Sequence, residues 1–245
     1  MLSLFLFSLG FNLLLFLVAY LLRTDKLTDI AYSLTFILLV IYSYYASEQS
    51  EVDLIFTIAV GAWGLRLGGF LLYRILRIGR DQRFDNIREN FVSFLGFWLM
   101  QGITCFIVLL PVLLVHQSTE KSGGFLFGFG LGLAFTGWLF EAIADYQKFT
   151  FKQANPDTFM NKGVWANIQH ANYTGELFFW WALFMASMPY VHWYVAILGP
   201  IWISFIIVRF SGISILQQKW EEKYGEDPEF RAWKERSWKL VPYVY

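Results

Sequence analysis

The sequence predicts an all-α, polytopic membrane protein with about seven transmembrane helices and a short cytoplasmic amphipathic tail. Of its 245 residues, 57% are apolar and 20% aromatic, but only 16% are charged. A soluble domain carries about a quarter charged residues. The apolar residues also form runs close to the twenty that cross a bilayer. The formal net charge is zero, so bulk charge does not indicate a nucleic-acid partner.

Seven apolar runs predict the membrane spans. The first lacks a basic n-region and a cleavage site, so it is interpreted as a membrane helix and not as a signal peptide. The last two are short and are separated only by Pro189 and Tyr190, which predicts a tight helical hairpin. The predicted spans are Leu2–Leu22, Leu27–Tyr45, Val52–Tyr73, Phe91–Val115, Gly124–Ala144, Tyr173–Met188 and Val191–Arg209.

The charges of the loops predict the orientation. With the N-terminus outside, one side of the membrane holds mostly acidic loops, with Glu48, Glu51 and Asp53 and only Lys121 as a cation. The other side is basic, which is the cytoplasmic pattern. We therefore expect a cytoplasmic C-terminus, with the tail helices against the membrane interface. The basic inner residues are Arg23, Lys26, Arg74, Arg77, Arg80, Arg83, Arg88, Lys148, Lys152 and Lys162.

The fifth predicted span is rich in glycine. Gly124, Gly128 and Gly132 recur every four residues, a spacing that lets two membrane helices approach closely. The same region could suggest a dinucleotide fingerprint, but that motif needs a preceding strand and a βαβ unit. Close helix packing is therefore the predicted role of these glycines.

Polar residues cluster at the predicted cytoplasmic ends of the spans. Glu141 and Asp145 are four residues apart and share a helix face, and Lys152 shares it if the helix continues past the membrane. Asn172 and Glu176 lie at the start of the sixth helix, where exposed N–H groups favour anionic or carbonyl ligands. Together with nearby arginines, these residues suit a phosphate-bearing ligand. The alternative is structural, because such residues also cap helices, form helix-end ion pairs and orient membrane proteins.

The histidines and the single cysteine do not indicate a metal centre. His116, His170 and His192 have no partners at metal-ligand spacing, so no metal site is expected. Cys105 lies inside an apolar run and is interpreted as a small packing residue.

Six pieces of the sequence form a recognisable set of motifs. They are E-A-I-A-D-Y-Q-K from Glu141, G-V-W-x-x-x-x-H-A-N-Y-x-G-E from Gly163, a late span ending at Arg209, K-L-V-P-Y from Lys239, W-G-L-R-L from Trp63 and G-R-D-Q-R-F from Gly79. Together they resemble the steroid 5α-reductase family, and especially its bacterial DUF1295 branch, over about two-thirds of the chain. Membrane isoprenylcysteine methyltransferases share the N-Y-x-G-E element. The chain departs from many relatives at Gln169-His170-Ala171, where those proteins carry Arg-His-Pro.

The resemblance implies a single membrane domain, residues 1–245, that binds NADPH from the cytoplasm with a lipid-like enone deeper inside. Residues 1–90 would form the substrate side, 91–210 the helices around the cofactor, and 211–245 the tail. The nearest polar candidates for substrate catalysis are Asp29 and Tyr32, at the start of the second span. The implied cofactor-binding residues are Arg80, Arg83, Glu141, Asp145, Lys152, Asn172, Tyr173, Glu176 and Arg209.

Three functions remain open from the sequence. The first is a membrane-embedded, NADPH-dependent reductase of a conjugated C=C bond in a lipid-like or steroid-like substrate. The second keeps the same fold but uses S-adenosylmethionine, as a methyltransferase of the isoprenylcysteine type. The third is a membrane protein that binds lipid without catalysis.

Overall fold

The computed structural model describes residues 1–78, 87–210 and 212–242, and it confirms the all-α fold. In this part of the chain there is no β-strand, and residues outside helices pair at one isolated bridge, Ile168 with Trp238. A 3₁₀ turn covers Gly163–Ala166 and a π-helix covers Ile206–Phe210. The α-helices are α1 (Leu2–Leu21), α2 (Leu27–Tyr45), α3 (Glu51–Ile78), α4 (Phe91–Gln117), α5 (Phe125–Ala154), α6 (Ala171–Ser187), α7 (Trp193–Ala196), α8 (Leu198–Phe205), α9 (Ile213–Tyr224) and α10 (Pro228–Arg236).

Six helical stretches within the described residues are long and apolar enough to cross a membrane, which confirms an integral, multi-pass protein. Five of them are α1 to α5, and the sixth is the run Trp193–Tyr224, which passes residue 211. The predicted span Tyr173–Met188 corresponds to α6. This helix has 17 residues, so it is about 25 Å long at 1.5 Å per residue, somewhat less than the roughly 30 Å of a hydrocarbon core.

The chain divides into two compact units, each made of two pieces of sequence. The first unit contains Met1–Phe125 and Ser187–Gly199, and the second contains Leu126–Ala186 and Pro200–Tyr245. The first unit therefore holds α1 to α4, and the second holds nearly all of α5 and α6 together with α9 and α10.

A buried polar network joins three helices of the first unit. The Asn12 side chain of α1 donates to Ser8 O at 2.9 Å and to Thr35 Oγ1 of α2 at 3.0 Å. Gln101 of α4 donates to Asn12 Oδ1 at 3.0 Å, and Ser8 Oγ donates to Gly102 O at 2.8 Å. Such hydrogen bonds hold membrane helices together where the surrounding lipid offers no polar partner.

Two ion pairs join residues at or next to the ends of helices in the first unit. Arg74 at the end of α3 pairs with Asp29 of α2 at 2.9 Å, and Arg88 pairs with Asp25 at 3.4 Å. These arginines therefore have specific partners in addition to any role in orientation.

The ion pair between Lys121 and Asp53, also in the first unit, is almost completely buried. Lys121 Nζ lies 2.7 Å from Asp53 Oδ2, and their side chains are 3% and 0% exposed. The hydroxyl of Ser47 and the backbone N–H of Ser50 donate to the same oxygen, each at 3.1 Å. This pair ties the segment after α4 to the start of α3.

In the second unit, α5 and α6 pack backbone against backbone through glycines. A Cβ added at Gly130 would lie 2.6 Å from the backbone N of Ala186, and one at Gly137 would lie 2.6 Å from that of Phe179. Only glycine fits so close an approach, so Gly130 and Gly137 set the separation of the two helices.

The predicted packing face of the fifth span is therefore wrong. Among the residues that the structure describes, a Cβ added at Gly124, Gly128 or Gly132 would meet no atom within 4 Å, and all three glycines are exposed. The physical reason is that a glycine-rich helix offers several small faces, and the partner helix selects one of them. The selected face carries glycines seven residues apart, not four.

Candidate functional site

A stripe of four charged residues runs along one face of α5. Glu141, Asp145, Lys148 and Lys152 follow each other at spacings of four, three and four residues, which is one helix face. Since α5 continues to Ala154, the helical continuation required by the sequence prediction is present. The stripe is about 17 Å long at 1.5 Å per residue. Its carboxylate half is buried, with Glu141 2% and Asp145 6% exposed, while the two lysines are half-buried.

The start of α6 lies directly against the carboxylate half of the stripe. A Cβ added at Gly175 would lie 2.5 Å from the backbone N of Glu141 and 2.7 Å from its Cβ. Ala171 and Ala144 share a hydrophobic cluster with Trp165, whose indole N–H donates to Ala144 O at 3.0 Å. The glycine of the N-Y-T-G-E motif is thus explained by the close approach of the two helices.

This contact places the predicted α6 residues beside the predicted α5 carboxylates. Asn172, Tyr173 and Glu176 are half-buried and belong to the same two turns of α6 as Gly175. Arg209 lies in the π-helix Ile206–Phe210 and is exposed.

The lysine half of the stripe is covered by aromatic residues of the second unit. Lys148 Nζ lies 4.4 Å from the ring centre of Trp165 and 5.3 Å from that of Trp220, within cation–π range. Lys152 donates to Thr158 O at 2.7 Å, to Tyr224 Oη at 2.8 Å and to Pro156 O at 3.3 Å. These three bonds use the full donor capacity of an ammonium group.

A small cavity lies beneath this aromatic cover. Its volume is about 20 Å³, room for about one water molecule. The lining residues are Lys148, Lys152, Phe159, Met160, Trp220, Tyr224 and Trp233.

His170 forms part of a stack of rings next to the stripe. Its ring is parallel to Trp220, with centres 4.9 Å apart and planes 4° apart, and it lies 6.0 Å from Tyr173. Burial, and then the charges of Lys148 and Lys239, lower the pKa of His170 to about 3. The imidazole is therefore neutral at physiological pH, so it adds aromatic surface to the site without adding charge.

Gln169 fastens the C-terminal tail to the segment before α6. Its side-chain N–H groups donate to Lys234 O at 3.0 Å, to Ser237 O at 3.1 Å and to Ser237 Oγ at 3.1 Å. Its carbonyl accepts from Gln217 at 3.3 Å. Sequence reasoning noted this position only as a departure from relatives, because its four contacts come from residues far away in the chain.

The remaining predicted residues fall into two groups. Asp29 and Tyr32 lie in the first unit, where Asp29 pairs with Arg74 and the ring of Tyr32 packs 5.0 Å from that of Phe36. Arg80 and Arg83 lie outside the described residues, and so does most of the predicted polar stretch Gly79–Glu89. Within the described residues, no three acidic, histidine or cysteine side chains come together as a metal site.

Comparison with known protein families identifies the family to which the chain is similar. The family DUF1295, described as a protein of unknown function, matches residues 15–237 of the chain. No curated protein matches, and neither does any solved structure.

Proposed function

We propose that this chain, which belongs to the DUF1295 family, is a membrane-embedded reductase that uses NADPH to reduce a conjugated C=C bond in a lipid-like substrate. The observation that supports the proposal best is the stripe on α5, which changes from buried carboxylates to lysines along one helix face. The start of α6 lies against the carboxylate end.

The two halves of the stripe fit two chemical parts of NADPH. Carboxylates such as Glu141 and Asp145 accept hydrogen bonds from ribose hydroxyls, as acidic residues do in other dinucleotide sites. Cations such as Lys148 suit phosphate groups. Asn172 and the backbone N–H groups at the start of α6 add uncharged donors at the carboxylate end. Arg80 and Arg83 remain further candidates for the 2′-phosphate.

The reaction needs a donor that polarises the substrate carbonyl. When bound, NADPH would supply a hydride to the β-carbon of the conjugated double bond. A neutral donor hydrogen-bonded to the carbonyl oxygen stabilises the negative charge that develops there, and a proton then completes the reduction. We prefer Tyr32 for this role, since a phenol donates, whereas the Asp29 carboxylate is held by Arg74 and acts as an acceptor.

The same stripe is a poorer fit for S-adenosylmethionine, the cofactor of the alternative methyltransferase. That molecule has no phosphate, lysines repel its sulfonium and ammonium cations, and its single carboxylate is the one group that a lysine would attract. Its ribose hydroxyls would still suit the carboxylate half. The charge of Lys148 should therefore matter more for the binding of NADPH than for that of S-adenosylmethionine. Replacing this residue distinguishes the two functions.

A binding experiment on the purified full-length protein tests the proposal. NADPH, NADH and S-adenosylmethionine are titrated into wild type and Lys148→Met, which keeps an aliphatic chain between Trp165 and Trp220 but removes the charge. We expect NADPH to bind with marked preference over NADH. Lys148→Met should weaken NADPH binding by about tenfold or more, because a charge-assisted contact is worth about 1.5–3 kcal/mol.

Lys162→Met is the matched control. Lys162 also lies over an aromatic ring, that of Phe151 at 5.8 Å, but it is outside the stripe, so NADPH affinity should not change. The reductase proposal fails if folded wild type shows no saturable NADPH binding. Saturable binding of S-adenosylmethionine alone would favour the methyltransferase, and binding of neither nucleotide would favour a lipid-binding protein.

A further inference from the structure

The C-terminal segment Ser237–Leu240 runs alongside the residues that lead into α6. Trp238 N donates to Asn167 O at 2.9 Å, and Gln169 N donates to Trp238 O at 2.8 Å. These two bonds form the isolated bridge between Ile168 and Trp238. The segment is thus joined to the chain immediately before the first turn of α6.

The same segment also contacts α6 itself. Thr174 Oγ1, in the first turn of the helix, donates to Leu240 O at 2.6 Å. Thr174 directly follows Asn172 and Tyr173 in sequence. A second connection joins the tail to the 3₁₀ turn, because the indole N–H of Trp233 donates to Trp165 O at 2.9 Å. The start of α6 is therefore held from outside the helix by the tail.

Gln169 occupies the centre of this attachment. It is 2% exposed, and its side-chain amide bonds three tail oxygens while its carbonyl accepts from Gln217 of α9. A buried amide with all these partners is expensive to replace, since each lost partner leaves a buried polar group unsatisfied.

We propose that Gln169 is a positioning residue that uses Ser237–Leu240 as a strap to hold the first turn of α6 in its ligand-binding conformation. The groups positioned in this way are Asn172, Tyr173 and Glu176. This role rests on the proposed function, because it assumes that these three residues bind the cofactor. Gln169 itself does not touch the ligand. It acts through the strap and through the turn that the strap fixes.

Hydrogen exchange combined with NADPH titration on the full-length protein tests the proposal. Gln169→Glu has nearly the same shape, but it replaces the N–H donors with an oxygen that faces the carbonyls of Lys234 and Ser237. We expect faster exchange of the Gln169 and Trp238 amides and at least tenfold weaker NADPH binding. Gln169→Ala should have the same two effects without introducing a charge.

Gln218→Ala is the matched control, because Gln218 is an exposed glutamine of α9 whose amide donates to Glu222 Oε1 of the same helix at 3.1 Å. It should leave both exchange and affinity unchanged. Unchanged exchange in both Gln169 variants would show that this residue does not hold the strap. If the Gln169 and Trp238 amides exchange faster but NADPH affinity stays within twofold of wild type, the strap does not position the site.

The exchange measurement separates this proposal from the proposed function. If wild type binds no NADPH, the proposed function fails and the positioning role falls with it. The exchange rates of the Gln169 and Trp238 amides would still decide whether Gln169 fastens the tail.

Discussion

Replacing Gly175 by alanine should damage both the stability of the second unit and its ligand affinity. The new methyl group would lie 2.5 Å from the backbone N of Glu141 and 2.7 Å from its Cα and Cβ. Ordinary carbon contacts lie at about 3.5–4.0 Å. Because the atoms of Glu141 nearest to the methyl belong to the helix backbone, no side-chain rotation can relieve the clash, and α6 must move away from α5 by roughly 1 Å.

The expected change in the free energy of unfolding is the sum of two opposing effects. Overpacking costs about 1–3 kcal/mol, and a backbone clash belongs at the upper end of that range. Alanine in a helix interior regains about 1 kcal/mol relative to glycine. The net loss is about 2 kcal/mol, which for a chain of this size lowers Tm by roughly 4–8 °C. NADPH affinity should fall as well, because the shift separates Asn172 and Glu176 from the carboxylates of α5.

Thermal unfolding in detergent and NADPH titration measure the two effects. Gly132→Ala is the control within α5, since no atom of the described part of the chain lies within 4 Å of its added Cβ. Its Tm should equal or slightly exceed that of wild type. Gly137→Ala meets Phe179 N at 2.6 Å and should lower Tm with a smaller effect on affinity. Equal Tm values for Gly175→Ala and Gly132→Ala, together with wild-type NADPH affinity, would show that this contact between α5 and α6 does not require glycine.

Three further predictions concern other parts of the chain. Since the pKa of His170 is lowered to about 3 from the usual value near 6.5, the unfolded state binds the proton first on acidification. The free energy of unfolding should therefore fall from pH 6.5 toward pH 3, by at most about 1.4 kcal/mol per pH unit, and His170→Phe should flatten that slope in Tm measurements. Lys121→Met leaves the buried Asp53 carboxylate without its cation and should cost about 3–5 kcal/mol, with Asp53→Asn in the same chain restoring part of the Tm. Cysteines placed at Ser50 and Lys234 should react with an impermeant reagent from opposite sides of the membrane, and reaction from the same side would disprove the seven-span count.

The sequence was sufficient for α1 to α5 and for the stripe on α5, whereas the predicted span Val191–Arg209 is divided into α7, α8 and a π-helix. Apolar runs of membrane length define helices without knowledge of their neighbours. The spacing of Glu141, Asp145 and Lys152 places them on one face of any helix that contains them, so their alignment is a local property.

The sequence was not sufficient where the answer depends on a distant partner. Several faces of α5 carry glycines, and α6 meets the one with Gly130 and Gly137, which no local spacing identifies. Gln169 and Ser237 are 68 residues apart, so the attachment of the tail could not be inferred from either position. The tail helices were predicted to lie against the membrane interface, and no local pattern indicated that Trp220 and Tyr224 of α9 cover the lysines of α5.

The first unit consists of two separate pieces of the chain, so it cannot be completed early in synthesis. Its second piece, Ser187–Gly199, is synthesised only after the whole of α5 and nearly all of α6. Gly199 packs closely against α4, since a Cβ added at this glycine would lie 2.8 Å from Pro111 Cδ and 2.8 Å from Val108 O. Until the ribosome has passed residue 199, this surface of α4 has no protein neighbour from that piece. Chains that stall or are cut before this point would therefore leave the first unit incomplete, although α1 to α4 have already been made.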